Sequence, residues 1–243
     1  MIIKLTINMI LYYKMSNIIG LCGLSGSGKS SSLKYLDPKE TFIISCTPKQ
    51  LSIPGFRKNY KKLNKTDKGY EGNWFFSNKF ESVSQILQLV NKTMPHVKTL
   101  VIDDANYLLT EATMSRALEK GYDKFTETAK KYYDMCMFAM TLRDDLNVVF
   151  ISHIHNYGTD LDPNWKIWTT GKLLDNAVNV DGLFNYIIYS EKIATDDSVE
   201  FKFRTKTLGP DTCRSTDGCF EDMYIEPNMK LVIDTINKFE NGD

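Results

Sequence analysis

The sequence predicts an α/β fold in which helices flank a mainly parallel sheet and antiparallel strands are added at the C-terminal side. Three observations predict it. Short apolar runs without alternation are typical of strands buried on both faces. Amphipathic helical patterns lie between those runs, and a Gly/Ser-rich turn directly follows the first run. Strands that alternate with helices imply parallel pairing through right-handed crossovers.

Four apolar runs are predicted as the parallel strands. They are IIGLC (18–22), TFIIS (41–45), KTLVIDD (98–104) and NVVFISH (147–153). Because each run is apolar at consecutive positions, neither face of the corresponding strand is expected to contact solvent.

Helices are predicted where apolar residues recur at spacings of three and four. Such patterns cover 80–94 and 122–146, a shorter one follows the Gly/Ser turn as SSLKYL, and 229–239 is a candidate closing helix. The helix after the turn is expected to stop at Asp37-Pro38, because proline disfavours the α conformation of the preceding residue.

The C-terminal third predicts an antiparallel addition to the sheet. LFNYIIYS (183–190) and VEFKFRTKT (199–207) are interpreted as two strands of a hairpin. Residues 15–243 are expected to form a single domain. Residues 1–14 are interpreted as an N-terminal extension or an extra edge strand, because Met15 is a second plausible start.

Composition excludes several classes of protein. Hydrophobic residues make up 42% and charged residues 25%, which excludes a disordered or collagen-like chain. Thirty basic residues balance thirty acidic ones, so any nucleic acid must bind a local patch. Five cysteines without a CxxC pattern fit reduced thiols in a cytoplasmic protein. No run approaches the ~18 apolar residues of a membrane span, so no membrane partner is expected.

The turn GLSGSGKS (23–30) matches the phosphate-loop pattern G-x-x-x-x-G-K-[ST], with a strand before it and a helix after it. Its backbone N–H groups are expected to surround a phosphate chain. The predicted nucleotide contacts are Gly23, Ser25, Gly26, Ser27, Gly28, Lys29, Ser30 and Ser31. Lys29 is expected to reach the β- and γ-phosphate oxygens, and Ser30 to ligate Mg²⁺.

An acidic pair ends the third apolar run. Ligands of open parallel sheets gather at the carboxyl ends of the strands, so Asp103 is expected to hold Mg²⁺ through its hydration shell. Asp104 has two interpretations that the sequence does not separate. It orients or deprotonates an attacking water, or it caps the following helix.

Polar residues also end the fourth run. Ser152 and His153 stand where this strand meets solvent, and His155 lies two positions further on. His153 is a candidate to sense the γ-phosphate and to pass its presence to the next loop. The alternative is that both histidines are ordinary surface or core groups.

Two basic segments are candidates for contacts with phosphates. Residues 57–68 hold six cations against one acid, with aromatic residues such as Tyr60 and Trp74 interleaved or adjacent. This composition suits single-stranded nucleic acid, although a solvated loop followed by a core strand is slightly favoured. Lys202, Arg204 and Lys206 alternate, so a strand would place them on one face, either solvated or as a finger toward a neighbour's nucleotide.

The segments GLSGSGKSSSLKYLDPKETFII, TLVIDDANYLL, LRDDLNVVFISHIH and FRTKTLGPDT resemble those of phage AAA-domain nucleotide-binding proteins, over most of residues 16–225. These are RecA-like P-loop ATPases linked to single-strand annealing and recombination. The resemblance implies a RecA-like core, ATP and Mg²⁺, single-stranded DNA, a homo-oligomer, a single-strand DNA-binding protein as a further partner, and the host-cell cytoplasm. By resemblance, Lys29, Ser30 and Asp103 contact nucleotide and metal, and His153 stands where RecA proteins carry a sensor amide.

The chain also departs from that pattern. No glutamate ends TFIISCTPK, where RecA places its water-activating carboxylate, so Asp104 gains importance. One alternative is therefore a nucleotide-switched DNA-binding or assembly module with little hydrolysis. A P-loop kinase is another, although the loop after His153 lacks the arginines of a kinase lid. A packaging or helicase motor is a weaker alternative.

Overall fold

The structure is a computed structural model that describes residues 15–170, 174, 178–195 and 198–242. The expected N-terminal extension, residues 1–14, lies outside the described residues.

The predicted strands and helical segments occur in the predicted order, and further short elements lie between them. The strands are Asn17–Gly23 (β1), Thr41–Ser45 (β2), Asn64–Thr66 (β3), Gly69–Glu71 (β4), Trp74–Phe76 (β5), Thr99–Asp103 (β6), Asn147–Asn156 (β7), Trp165–Ile167 (β8), Tyr186–Ala194 (β9), Val199–Arg204 (β10) and Tyr224–Ile225 (β11). The α-helices are Phe56–Asn59 (α1), Phe80–Thr93 (α2), Asn106–Met114 (α3), Asp123–Met140 (α4) and Met229–Asn241 (α5). Short 3₁₀ helices cover Ser30–Tyr35 and Val180–Leu183.

The main sheet confirms the predicted fold class. In the described part of the chain it has nine strands in the order β11-β10-β9-β1-β7-β6-β2-β5, with β8 paired to β7 beside this path. All pairs from β9 to β5 are parallel, whereas β10, β11 and β8 pair antiparallel. The carboxyl ends of β1, β7, β6 and β2 therefore meet at one edge of the sheet.

Helices cover both faces of the sheet, as strands without alternation require. Ile18 and Cys22 of β1 face one apolar layer, which includes residues of α2, α3 and α4. Ile19 and Leu21 face the other, built from the first 3₁₀ helix, α1 and α5. All four β1 side chains are buried, so this strand is anchored from both sides.

The predicted hairpin forms, and its first strand also joins the parallel part of the sheet. β9 pairs parallel with β1, with Ile19 opposite Tyr186 and Cys22 opposite Tyr189, and belongs to the parallel core. Only its partner β10 runs antiparallel. Tyr186 to Tyr189 are buried, as expected for a strand inside the sheet.

Two predicted helices are shorter than expected. The segment after the Gly/Ser turn forms only the 3₁₀ helix Ser30–Tyr35, and Leu36 is already extended ahead of Asp37-Pro38. The pattern over 122–146 gives a helix that ends at Met140. Residues 141–146 form the turn into β7, in which the Leu146 N–H donates to the Arg143 carbonyl (3.1 Å).

Within the described residues, none of the helices has both the length and the apolar character that crossing a membrane requires.

Candidate phosphate-binding site

The loop between β1 and the first 3₁₀ helix depends on its glycines. Gly26 and Gly28 have φ angles of 68° and 95°, which residues with a Cβ rarely adopt. Gly23 is required for a different reason, because a Cβ there would lie 2.4 Å from the Ser190 carbonyl oxygen of β9. The glycines therefore determine both the curvature of the loop and its close approach to the sheet.

The Lys29 ammonium folds back onto this loop. Its Nζ donates to the carbonyl oxygens of Gly23 and Leu24, each 2.8 Å away, and the residue is buried. Burial lowers the pKa of Lys29 to about 8, although the carboxylates of Asp104 and Asp103 act in the opposite direction. Since neutral carbonyls are weaker partners than anions, a phosphate that entered the loop would bind this ammonium more strongly.

Ser30 joins the loop to the end of β6. Its hydroxyl donates a 2.8 Å hydrogen bond to Asp103 Oδ1, across 73 residues of sequence. Asp103 is buried. Burial, and then the neighbouring Asp104 carboxylate, raise the pKa of Asp103 to about 6. The positive charges near Asp103 therefore do not fully compensate the burial of its carboxylate.

Mg²⁺ fits the donor set that these two residues present. A hydroxyl and a carboxylate are hard oxygen ligands, and Mg²⁺ is typically held by one or two carboxylates together with waters and substrate phosphates. A nearby cation would also favour the ionised form of Asp103. Among the described residues, no group of three or more histidine, cysteine, aspartate or glutamate side chains could hold a metal by itself.

Asp104 lies in an unusual backbone conformation with its carboxylate crowded by donors. Its φ is 59°, a left-handed value that is strained for a residue with a Cβ. Oδ2 accepts a hydrogen bond from Thr47 Oγ1 (3.2 Å) and pairs with Lys49 Nζ (2.5 Å). His153 Nε2 lies 3.5 Å from Oδ1.

These contacts keep Asp104 ionised. Burial acts to raise the pKa of Asp104, but the hydrogen bonds from His153 and Lys49 outweigh it and lower the pKa to about 2. The α3 N-cap is Ala105, and no side chain caps the helix. The interpretation of Asp104 as a helix cap is therefore wrong, because its side chain contacts donors of β7 and of the segment after β2 instead.

His153 is held beside Asp104 by a residue that the sequence argument missed. The His153 N–H donates to Asn106 Oδ1 (2.6 Å), and Asn106 Nδ2 donates to the Trp168 carbonyl. The His153 ring packs edge-on against Tyr107. Asn106 is buried and links the start of α3 to β7 and to the segment after β8.

Ser152 and His155 lie away from this group. Ser152 is fully buried on β7 beside Cys22, and its hydroxyl has no hydrogen-bond partner among the described residues. His155 is opposite Lys166 of β8 and packs edge-on against Tyr157. His153 is therefore the histidine of this strand that reaches the candidate site.

These groups surround a cavity of about 200 Å³ at the carboxyl edge of the sheet. It is lined by Ser25, Gly26, Ser27, Gly28, Lys29, Ser30, Ser31, Lys49, Gln50, Leu51, Ser52, Asp103, Asp104 and His153. All the predicted site residues except Gly23 line it, and Gly23 lies at its base as an acceptor for Lys29.

Residues 49–52 are the part of the cavity that the sequence argument missed. They follow β2, whose Ser45 is opposite Asp103 in the parallel register. The predicted parallel pairing could have located them, because the segment after β2 must emerge at the same sheet edge as the acidic pair. Nothing in the composition of 46–52 marks it as a site.

The β9–β10 hairpin lies against the other side of the loop. Ser190 Oγ donates to the Ser27 carbonyl (2.7 Å). The Phe201 ring lies 3.4 Å from the position of a Cβ on Gly28, and Lys192 Nζ lies 3.3 Å from that on Gly26. The hairpin therefore supports the loop from the side opposite Lys49.

The predicted cationic face of β10 does not form. Arg204 is buried and pairs with Glu191 (2.7 Å) and Asp211 (3.1 Å), which leaves it unable to act as a finger toward a neighbour. β10 ends at Arg204, so Lys206 lies beyond it and donates to the Glu221 carbonyl. Both acidic partners of Arg204 lie outside β10, so the alternation of cations along this strand could not reveal that Arg204 is buried and paired.

In the basic segment 57–68 the cations are exposed. Two of the aromatic residues in or near this segment pack against the core. Tyr60 and Trp74 both pack around Phe56 in the core, and Trp74 Nε1 donates to Ser45 Oγ (2.9 Å). These two rings are therefore not available to stack on bases. Nucleic-acid binding by this segment stays a prediction.

No protein-family model matches the chain, and no curated protein matches it. Among solved structures, the chain is similar to a KaiC-like protein from the hyperthermophilic archaeon Pyrococcus horikoshii OT3. The identity is 7%, the TM-score is 0.45, and the match covers 79% of this chain and 80% of that one. A likeness at this level carries no information about activity.

Proposed function

We propose that this chain is a P-loop ATPase with a RecA-like core, which binds ATP with Mg²⁺ and hydrolyses it. The observation that carries the proposal is the hydrogen bond from Ser30 to Asp103. It places the serine of the phosphate-loop motif against the carboxylate at the end of a core strand. Two features that the sequence separates by 73 residues thus meet where a metal bound to phosphates would need both.

The loop supplies the binding step. Backbone conformations at Gly26 and Gly28 shape a concave loop, and Lys29 can exchange its carbonyl partners for phosphate oxygens. Ser30 and Asp103 would hold Mg²⁺, which supplies positive charge to the phosphates when bound. Because Lys29 is already buried, little of its side chain remains to be ordered when phosphate arrives.

Asp104 and His153 are the proposed groups for the hydrolytic step. Asp104 lines the cavity beside His153, whose Nε2 lies 3.5 Å from its Oδ1, and its carboxylate is the proposed group that orients an attacking water. His153 connects Asp104 through Asn106 to the segment after β8. A change around the γ-phosphate can reach that segment through these contacts.

Single-stranded DNA in phage annealing or recombination is the proposed setting, together with a homo-oligomer and a single-strand DNA-binding protein as partners. Support comes from the sequence resemblance and from the exposed cations of segment 57–68. The segment after β8, which Asn106 links to the site, is a candidate route between nucleotide and DNA.

The experiment is the ATPase rate of the full chain with and without single-stranded DNA, for the wild type, Lys29→Ala and Lys34→Ala. Lys34 is an exposed lysine of the 3₁₀ helix that follows Lys29 and serves as the matched control. We expect Lys29→Ala alone to lose binding and turnover, and DNA to change the wild-type rate.

If the wild type binds no ATP, or Lys29→Ala binds it equally well, the nucleotide assignment is wrong. If DNA neither binds nor changes the rate, the recombination setting is wrong and the nucleotide site stands.

A second candidate is a nucleotide-switched module with little hydrolysis. The observation that favours it is that Asp103 and Asp104 are the acidic residues of the described cavity lining, and one of them is already paired with Lys49. Tight ATP binding with turnover near the uncatalysed rate, both with and without DNA, would support this candidate over the ATPase.

A further inference from the structure

Lys49 occupies a position in the cavity that neither the motif nor the resemblance assigns. It lies after β2, and its Nζ is 2.5 Å from Asp104 Oδ2. The two partners differ sharply in exposure, because the lysine side chain is 60% exposed and the aspartate side chain 4%. The pair thus joins an exposed cation at the cavity wall to a buried carboxylate.

The three groups around Asp104 are not equally free to move. Thr47 is buried. His153 is held through its backbone N–H by Asn106 and through its ring by Tyr107. Of the described residues in contact with this carboxylate, Lys49 alone is mainly exposed and on a long flexible stem, so it is the partner that can leave.

The terminal phosphate of a bound triphosphate would be a stronger hydrogen-bond partner for the Lys49 ammonium than the Asp104 carboxylate. Lys49 and the phosphate loop line the same small cavity, together with Ser30 and Asp103. A terminal phosphate beside the acidic pair would bring several anionic oxygens near the ammonium, whereas a diphosphate leaves this end of the cavity without them.

We propose that Lys49 distinguishes ATP from ADP by exchanging the Asp104 carboxylate for the terminal phosphate. The inference rests on the proposed function, since it requires nucleotide in this cavity. In the absence of nucleotide, Lys49 covers Asp104. With ATP bound, the ammonium contacts the γ-phosphate and leaves Asp104 free to orient water. With ADP bound, Lys49 stays on Asp104.

A simpler role for Lys49 makes a different prediction. If Lys49 only neutralises Asp104 and never contacts phosphate, its removal also weakens ATP binding, because the bare carboxylate repels the terminal phosphate. Removing Asp104 as well would then restore ATP binding. The exchange role predicts no restoration, because the contact between lysine and phosphate stays lost.

The experiment measures the dissociation constants of ATPγS and ADP with Mg²⁺ by calorimetry, on the full chain. The variants are Lys49→Gln, Lys49→Arg, the double variant Lys49→Gln/Asp104→Asn, and the control Lys39→Gln. Lys39 is exposed and precedes β2 at the opposite end of the same strand, so its substitution makes the same charge change away from the cavity.

We expect Lys49→Gln to reduce the preference for ATPγS over ADP by about tenfold, the loss typical of a charged hydrogen bond, with ADP affinity nearly unchanged. Lys49→Arg should keep most of the preference and Lys39→Gln all of it. The double variant should remain as poor as Lys49→Gln.

Three outcomes overturn the inference and leave the proposed function intact: an unchanged preference in Lys49→Gln, an equal loss for both nucleotides, or a preference restored in the double variant. If the wild type binds neither nucleotide, the proposed function fails and the inference fails with it.

Discussion

The two sides of the cavity shift the pKa values of two consecutive carboxylates in opposite directions. One side is formed by the phosphate loop and the other by the segment after β2. Asp103 faces the loop, accepts a hydrogen bond from Ser30, and has its pKa raised to about 6, chiefly by burial. Asp104 faces the β2 side, where burial is outweighed by His153 and Lys49 and the pKa falls to about 2. Adjacent acids with divergent pKa values suit the divided roles proposed above, in which Asp103 is a metal ligand and Asp104 a water-orienting group.

The largest expected effect separates these roles kinetically. Asp104→Asn should lower kcat by about 100-fold or more while Mg²⁺–ATP still binds, because only the group that faces the water is altered. Asparagine tolerates the left-handed backbone at this position. Asp103→Asn should instead weaken Mg²⁺-dependent binding, since a metal ligand is lost.

Steady-state kinetics and calorimetry with Mg²⁺ and with EDTA check this pair of variants. Identical losses of binding and turnover in both would contradict the division of roles.

The next effect concerns stability without nucleotide, and it has opposite signs at the two positions. Asp103→Asn should stabilise the chain at pH 7 by about 2 kcal/mol, because a buried charge without a full counter-ion is removed. Asp104→Asn should destabilise it by about 1–2 kcal/mol, because it loses the contacts with Lys49 and His153. Urea unfolding measures both, and changes of the same sign would show that the two environments do not differ as described.

A smaller effect tests the bond between the loop and β6. Ser30→Ala should weaken Mg²⁺-dependent ATP binding by about tenfold, since one oxygen ligand and the hydrogen bond to Asp103 are lost together. Ser115→Ala is the matched control, because Ser115 is exposed and is not among the residues that line the cavity. Equal affinities for the two variants would argue against a metal role for Ser30.

The smallest effect is a pH dependence of the Asp103→Asn stabilisation. In the folded chain the pKa of Asp103 is about 6, above its ordinary value of 3.8. The folded state therefore takes up its proton first as the pH falls, and the penalty for burying the charge disappears between pH 6 and 4. Urea unfolding at several pH values should show the gain of the variant shrinking over this window, and a constant gain would contradict the raised pKa.

Local patterns were sufficient for much of the fold. The four apolar runs all became parallel core strands, because consecutive apolar residues require cover on both faces. The hairpin of 183–190 and 199–207 was predicted correctly, but not the parallel pairing of its first strand with β1, since an apolar run does not reveal which further strand it pairs with. Arg204 was misread for a related reason, because its acidic partners come from outside the strand.

In the candidate site, the phosphate loop and the acidic pair were recognisable because each is contiguous along the chain. Asn106 and Lys49 were not, since neither belongs to the loop motif or to the acidic pair. Their significance comes from the parallel register that brings the end of β2 and the start of α3 to the edge where the loop lies. Whether Asp104 caps the following helix or points into the cavity also depends on its φ angle, which the sequence does not specify.

The sequence by itself determined which residues form the phosphate loop, which runs are buried strands, and that an acidic pair ends one of them, because turn chemistry and burial are read over a few neighbouring residues. Only the tertiary structure decided which carboxylate faces Ser30 and which faces Lys49. That choice depends on strand order and on the electrostatic surroundings of each group, and both arise from residues far apart in the chain.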